Sequence, residues 1–149
     1  MESIRKEMEA VGIDSCGGED HEGFEKGINM DEFERYPIDP LIKAVVVGQD
    51  TQFTYAKLCL ASLHISTGGA KFIATNNDAF DMVNGRRQPG AGAMVDSIKV
   101  TLSNPDGSRN NTEPEIIGKP NPYVIDLIMK EHGIADKSKY DYVHNCLLG

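Results

Sequence analysis

The order of apolar and polar segments predicts an α/β fold with a mainly parallel sheet and flanking helices. Three short apolar runs, at residues 43–48, 71–74 and 115–118, have the length of strands, and amphipathic segments separate them. Strands that alternate with helices form parallel sheets with right-handed crossovers. The chain has 149 residues, of which 40% are hydrophobic, and this is enough for one real core.

The first third of the chain contains one helix, one long loop and one strand. Residues 2–11 carry apolar side chains at helical spacing and end at Gly12, which predicts a short helix. Residues 14–40 are rich in Gly, Asp, Glu and Pro, so we expect a long loop or an extended arm. Residues 43–48 form a continuous apolar run, which is typical of a central strand covered on both faces.

The middle of the chain alternates between helix and strand. Thr54 is the predicted N-cap of a helix that runs to about residue 66, with Tyr55 and several aliphatic residues on or near one face. The strand at 71–74 is followed by a polar loop to Pro89. The apolar spacing over residues 94–102 predicts the next helix.

The last elements are a turn-rich link over residues 104–114, a strand at 115–118 and a helix that stops at Gly133. That helix carries Val124, Leu127 and Ile128 at amphipathic spacing.

Charge and composition exclude several classes of protein. With 23 acidic and 15 basic side chains the net charge is −8, and no Lys/Arg run favours nucleic-acid binding. The N-terminus lacks the apolar core of a signal peptide, and no segment approaches the roughly 20 apolar residues that cross a bilayer. Three scattered cysteines indicate neither a disulfide framework nor a zinc site. We expect a cytoplasmic protein without nucleic-acid or membrane partners.

Lys119 is the residue that points most directly to a function. It follows a strand and precedes Asn121, a candidate helix cap, and Pro122, which suits a first helical turn. The ammonium and the positive end of the helix dipole then face one place, which favours a phosphate. The alternative is a surface lysine ahead of a helix.

The other strand ends resemble parts of a phosphatase core but lack its nucleophile. Ligands gather at the carboxyl ends of parallel strands, where Asp50 and Thr75 would lie near Lys119. An aspartyl-phosphate mechanism needs two carboxylates two residues apart, and Gly48 occupies the attacking position. Asp50 is therefore interpreted chiefly as a turn or helix-approach carboxylate beside Thr54.

The segment over residues 75–89 mixes an aromatic side chain, a methionine and two arginines, which suits recognition of a small organic anion. The alternative is an ordinary exposed turn with Phe80 tucked into the core. Residues 89–93 are glycine-rich without a nucleotide-binding pattern, so they indicate close packing and also leave N–H groups for an anion. The candidate substrate-binding residues are Thr75, Asn76, Asp78, Phe80, Arg86, Arg87 and Gly90.

The four histidines do not indicate a metal site. None pairs with a carboxylate or a cysteine at metal-ligand spacing, so each is expected to be solvated or at a helix end. No metal-ligating residue is predicted.

Taken in order, residues 44–50, 53–58, 72–78, 89–94 and 118–120 resemble the 4-nitrophenylphosphatase and phosphoglycolate phosphatase branch of the haloacid dehalogenase superfamily. The resemblance runs from about residue 3 to about residue 135. In that family this stretch is mostly the large α/β cap inserted into the catalytic core, followed by the strand that returns to the core with a motif lysine.

The resemblance implies a role for each part of the chain. Residues 1–112 would be the substrate-specificity cap, and residues 113–149 would return to an absent or truncated core. Lys119 would be the motif lysine that bridges the nucleophile and the phosphate. Residues 75–89 would belong to the specificity surface that closes over a small phosphorylated metabolite and excludes water. Phosphoglycolate or an aryl phosphate fits this expectation.

The chain also departs from the family pattern. The DxD nucleophile segment is not found, and residues 134–149 contain no Gly-Asp metal motif. The sequence is interpreted as a fragment, a truncated gene product or a divergent member, catalytically dead by itself, with Mg²⁺ belonging to the intact family and none expected here. Two alternatives stay open: a homodimerisation module formed by the cap, and a phosphate-ligand sensor that uses Lys119, Arg86 and Arg87.

Overall fold

The computed structural model describes residues 2–17, 20, 27–110, 112–118 and 121–135, and the side chains of residues 2 and 3 are not among the features described. Five helices and five strands lie in these ranges. In chain order they are α1 (Glu2–Ala10), α2 (Met30–Glu34), β1 (Ala44–Val47), α3 (Tyr55–Ser66), β2 (Lys71–Ala74), β3 (Phe80–Val83), β4 (Arg86–Pro89), α4 (Ala91–Thr101), β5 (Glu115–Ile116) and α5 (Tyr123–Glu131).

Three of the strands form a parallel sheet in the order β1-β2-β5. Val45 pairs with Phe72 between β1 and β2, and Ile73 pairs with Glu115 between β2 and β5. The predicted parallel α/β fold is confirmed. The expectation that the strand at 43–48 is central is wrong for the described sheet, because β2 alone has neighbours on both sides and β1 is mostly half-buried.

The main core lies between one face of the sheet and α4. Val47, Phe72 and Ala74 pack with Met94, Val95, Ile98 and Leu102, and Ile98 and Val95 are each 1% exposed. The apolar spacing predicted for residues 94–102 is therefore the buried stripe of α4.

Helix α3 packs on two sides instead of one. Thr54 is its N-cap, as predicted, and the Thr54 hydroxyl accepts a hydrogen bond from the N–H of Lys57 at 3.3 Å. Leu58, Ala61 and Ile65 contact the main core, whereas Ala56 and Leu60 form a second cluster on the other side. Tyr55 is 63% exposed, so its predicted place on the apolar face is wrong.

The second cluster explains why the predicted long loop is partly helical. Asn29 caps α2 by accepting a hydrogen bond from the N–H of Asp31 at 3.0 Å. Phe33 and Tyr36 then pack against Ala56 and Leu60 of α3. The apolar contacts of this short helix with α3 hold part of residues 14–40 against the fold.

The link from α4 to β5 is exposed and is fixed by an ion pair between Lys99 Nζ and the Glu113 carboxylate at 2.7 Å. Strand β5 spans two residues, which is shorter than the predicted run at 115–118. Helix α5 is confirmed, but Tyr123, Val124 and Leu127 on it are 57%, 41% and 50% exposed. Residues 136–149 lie outside the described residues.

The predicted boundary between residues 112 and 113 does not separate two sheets, because β5 pairs with β2. The division into a cap and a return segment stays a prediction. Within the described ranges, no helix is both long and apolar enough to cross a membrane.

Candidate functional site

The carboxyl ends of the three parallel strands meet at one edge of the sheet. The N–H of Thr75, just after β2, donates to the carbonyl of Val47 at the end of β1 with a distance of 2.9 Å. The N–H of Ile117, just after β5, donates to the carbonyl of Ala74 at 3.0 Å. This edge is where open α/β sheets bind ligands.

Asp50 has a structural role at this edge. Its Oδ2 lies 2.7 Å from Lys57 Nζ, and its Oδ1 accepts a hydrogen bond from the N–H of Gln52 at 3.0 Å. Burial acts to raise the pKa of Asp50, but the bonds from Lys57 and Gln52 outweigh burial and lower that pKa overall. The interpretation of Asp50 as a turn or helix-approach carboxylate is confirmed, because its oxygens bind the N–H of Gln52 in the turn and Lys57 of α3.

Gly48 permits close packing at the position where a nucleophile would stand. A Cβ on Gly48 would lie 2.8 Å from Ile4 Cδ1 and 3.2 Å from Thr75 Oγ1. The missing side chain thus allows α1 and the end of β2 to approach the tip of β1.

The turn after β2, over residues 75–78, is held by its own side chains and by neighbouring glycines. Asn76 Oδ1 accepts a hydrogen bond from the N–H of Asp78 at 3.1 Å, and Asn76 Nδ2 donates to Thr75 Oγ1 at 3.4 Å. A Cβ on Gly90 would collide with the Asp78 carbonyl, and a Cβ on Gly118 would collide with the Thr75 carbonyl. The backbone of this turn therefore lies directly against the start of α4 and the end of β5.

The start of α4 is closed by protein carbonyls. The N–H of Gly90 donates to the carbonyl of Ala79 at 3.1 Å, that of Gly92 to Asp78 at 2.9 Å, and that of Ala93 to Gly90 at 3.2 Å. The expectation that this glycine-rich segment leaves N–H groups for an anion is wrong for these three residues. Gly90, a candidate substrate-binding residue, contributes close packing at this position.

The predicted polar loop to Pro89 is a β-hairpin. Strands β3 and β4 pair antiparallel, with Val83 opposite Arg86. Asn84 and Gly85 form the turn with φ values of 50° and 76°. Such a turn needs positive φ at both central residues and favours Asn-Gly. The Asn-Gly pair was the sequence signal for the hairpin, and the expectation of a loop overlooked it.

The hairpin projects its side chains to the surface. Phe80 is 42% exposed, so the alternative in which it is tucked into the core is wrong. The guanidinium carbon of Arg87 lies 4.4 Å from the centroid of the Phe80 ring. Successive strand residues face opposite sides, so Arg86 lies on the other face of the hairpin.

Lys119 and Pro120 lie outside the described residues, but hydrogen bonds join the residues on either side of them. The carbonyl of Gly118 accepts a hydrogen bond from the N–H of Asn121 at 2.7 Å. Asn121 Nδ2 donates to the carbonyl of Ile116 at 2.7 Å, and its Oδ1 accepts from the N–H of Tyr123 at 2.9 Å. Helix α5 begins one residue later than predicted, because Pro122 and not Asn121 occupies the N-cap position. Asn121 therefore caps the helix from the position before the N-cap.

An open groove of about 540 Å³ lies beside Gly118 and Asn121. Thr75, Gly118, Asn121 and Tyr123 are part of its lining. The candidate residues Thr75, Asn76, Asp78 and Gly90 thus lie together at the root of the hairpin, Phe80 and Arg87 lie together on one of its faces, and Arg86 lies apart.

Asp50, the carboxylate just after β1, is not free to bind a Mg²⁺ ion, because its oxygens are bound to Lys57 and Gln52. Magnesium binds one or two free carboxylates and completes its octahedron with water or phosphate oxygens. Among the residues described, no three His, Cys, Asp or Glu side chains cluster, and the Asp50 carboxylate is bound to Lys57.

His64 was expected to be solvated or at a helix end. It lies in the last turn of α3 and is 3% exposed, so it is at a helix end but not solvated.

Comparison with known proteins gives relatives that are phosphatases. The chain is 31% identical over 135 residues to human glycerol-3-phosphate phosphatase, and 29% identical over 126 residues to 4-nitrophenylphosphatase of Schizosaccharomyces pombe. These matches cover 89% and 85% of this chain but only 38% and 39% of the relatives. No protein-family model matches.

A solved structure shares the fold. Glycerol phosphate phosphatase from Mycobacterium tuberculosis, solved in complex with magnesium, superposes with a TM-score of 0.62 at 23% identity, and the alignment covers 89% of this chain and 32% of that one. The fold is thus shared with an α/β phosphatase. The resemblance of the chain to the 4-nitrophenylphosphatase branch of the haloacid dehalogenase superfamily is thereby confirmed.

Proposed function

We propose that this chain is the substrate-specificity cap and lysine-bearing segment of a Mg²⁺-dependent phosphatase that acts on small phosphomonoesters. Residues 1–112 form the cap and residues 113–149 the segment that carries Lys119. The observation that supports the proposal most directly is the contact of Gly118 with the Thr75 carbonyl. It brings Gly118, the residue before Lys119, against the turn that leads into the hairpin, and this supports a common ligand for the lysine and the specificity surface.

The relatives and the charges on the hairpin support the proposed substrate class. Human and yeast relatives are named for glycerol 3-phosphate and 4-nitrophenyl phosphate. Arg87 and Phe80 offer this chain a cation and an apolar ring for such an ester. The proposal includes phosphoglycolate as a further possible substrate. It also includes a cytoplasmic location, a homodimer formed through the cap, and no nucleic-acid or membrane partner.

The chain by itself is proposed to be inactive. Asp50 is tied to Lys57, and no metal cluster lies among the residues that the structure describes. The nucleophile and the Mg²⁺ ligands would then come from the catalytic core that the cap serves.

A hybrid enzyme tests this function. The segment of the fission-yeast 4-nitrophenylphosphatase that matches this chain is replaced by the chain, and hydrolysis of 4-nitrophenyl phosphate with Mg²⁺ is measured. We expect the hybrid to turn over, and Lys119→Ala in the hybrid to lower kcat by about 10²–10³, as loss of an electrostatic stabiliser does. A folded hybrid whose rate does not depend on Lys119 would contradict the proposal.

The isolated chain is the second arm of the experiment. Its rate with 4-nitrophenyl phosphate and Mg²⁺ should equal that of its Lys119→Ala variant. A higher rate in the unsubstituted chain would show that it holds its own catalytic groups.

The alternative function is a homodimerisation module or a phosphate-ligand-binding module without catalysis. The observation that favours dimerisation is the exposure of apolar side chains on the hairpin: Phe80 and Met82 on one face are 42% and 60% exposed, and Val83 on the other face is 48% exposed. Sedimentation at several concentrations, with and without phosphate, separates the two. Phosphate-independent dimerisation of a chain whose hybrid is inactive would support the alternative.

A further inference from the structure

Arg86 and Arg87 are adjacent in β4 but lie on opposite faces of the hairpin. The strand register groups Arg87 with Phe80, Met82 and Pro89, and Arg86 with Asp81, Val83 and Gln88. Both arginines are exposed, and within the described residues no carboxylate forms an ion pair with either. Two equal charges in one strand therefore differ only in their surroundings.

The surroundings of Arg87 hold its side chain ready for a ligand. Its guanidinium carbon lies 4.4 Å above the Phe80 ring. The ring covers one face of the guanidinium plane and leaves the N–H groups at its edge available to an oxyanion. Stacking also restricts a long side chain before a ligand arrives, which reduces the entropy lost on binding.

The surroundings of Arg86 disfavour an anion. Arg86 shares its face with Asp81, whose carboxylate repels an incoming negative charge. The face of Arg87 carries no acidic residue of the hairpin. In a chain with a net charge of −8, a cation without a carboxylate partner on an exposed face is a local attraction for anions.

We infer that Arg87, held by Phe80, is the specificity residue of the hairpin and binds an oxyanion of the small phosphoester, whereas Arg86 does not. The inference rests on the proposed function for its ligand, and it assigns one of two adjacent arginines to that ligand. The oxyanion is either the phosphate or a carboxylate on the organic part of the ester, since a guanidinium pairs with both.

Titration of the isotope-labelled full chain tests the inference. The probes are inorganic phosphate, glycolate and glycerol 3-phosphate, and the readout is the Nε–Hε resonance of each arginine together with the Kd. We expect the Arg87 resonance to shift and saturate. The response to phosphate compared with glycolate shows which oxyanion Arg87 prefers.

Three variants supply the comparison. Arg87→Gln should raise the Kd by about tenfold, because it removes a charge-assisted hydrogen bond. Arg86→Gln removes the same charge from the same strand and should raise the Kd by less than about twofold. Phe80→Leu keeps an apolar side chain but loses the stacking ring, and should give an intermediate increase of about threefold. Unchanged backbone amide spectra outside the hairpin show that each variant is folded.

The outcomes separate this inference from the proposed function. If glycerol 3-phosphate binds but Arg87→Gln weakens it no more than Arg86→Gln, the inference is overturned and the function stands. If inorganic phosphate binds through Arg87 while glycerol 3-phosphate does not, the inference stands for the oxyanion and the function is contradicted. Absence of binding by every probe overturns the inference, and the hybrid enzyme then decides the function independently.

Discussion

Asp50 and Lys57 form an ion pair just after the carboxyl end of β1, and Asp50→Asn tests how much that pair stabilises the fold. The carboxylate and the ammonium are 2.7 Å apart, with side chains 9% and 16% exposed. Removing one partner from a buried pair costs about 3–5 kcal/mol. Asparagine can still accept the hydrogen bond from the N–H of Gln52, and the Lys57 side chain remains partly accessible to water, which reduces the cost. We therefore expect a loss of about 2–3 kcal/mol in the free energy of unfolding.

The measurement is urea unfolding at neutral pH, with a double-mutant cycle that adds Lys57→Met. The two changes should be coupled by about 1–2 kcal/mol, because each single variant leaves the other group without its partner. Glu113→Gln is the matched control, since it breaks the Lys99 pair, in which Glu113 is 67% exposed. An exposed pair contributes at most about 1 kcal/mol.

The same pair predicts a dependence on pH. The pKa of Asp50 is lowered in the folded chain, so its contribution is present above the unfolded pKa of about 3.9 and is lost as the pH falls through the folded value. The stability difference between wild type and Asp50→Asn should therefore shrink below about pH 4. A difference that is small at neutral pH, or constant down to acid, would refute the role given to this pair.

Two further predictions concern the hairpin. Gly90→Ala should lower the free energy of unfolding by about 1–3 kcal/mol, because the added Cβ would collide with the backbone carbonyl of Asp78. Calorimetry measures the change, and an unchanged Tm would contradict the close approach of the two backbones. Gly85→Ala should destabilise the turn by about 1–2 kcal/mol, because φ is 76° at this residue, although there is space for a side chain. Amide hydrogen exchange should become faster in β3 and β4 but not in β2. Unchanged exchange rates in β3 and β4 of the variant would contradict the positive-φ turn.

The helices and the parallel strands could be predicted because their signals are local. Thr54 marks the start of α3, and the apolar spacing of residues 94–102 marks the stripe of α4 that packs on the sheet. The place of β1 at an edge of the described sheet could not be predicted, because an apolar run indicates burial without naming its neighbours. Helix α2 was missed because its stability comes from contacts with α3 that are distant in sequence.

The candidate site was predictable in part. The sheet edge and the turn at residues 75–78 follow from strand order, and Asp50 was correctly interpreted as a turn residue. The faces of Arg86 and Arg87 needed the strand register, which depends on the Asn84 and Gly85 turn. The two hydrogen bonds of the Asn121 side chain could not be predicted from the sequence, because they join the end of β5 to the start of α5.

Gly90, Gly92 and Gly118 mark the part of the hairpin region that does not tolerate substitution. A side chain at any of the three would meet backbone oxygen of residues 75–78. The strand residues Phe80–Val83, Arg86 and Arg87 are exposed, and only the turn at Asn84 and Gly85 between them is restricted, by its positive φ values. A library built to redirect ligand preference should therefore randomise the outer strands and leave the turn and the glycine-lined base unchanged.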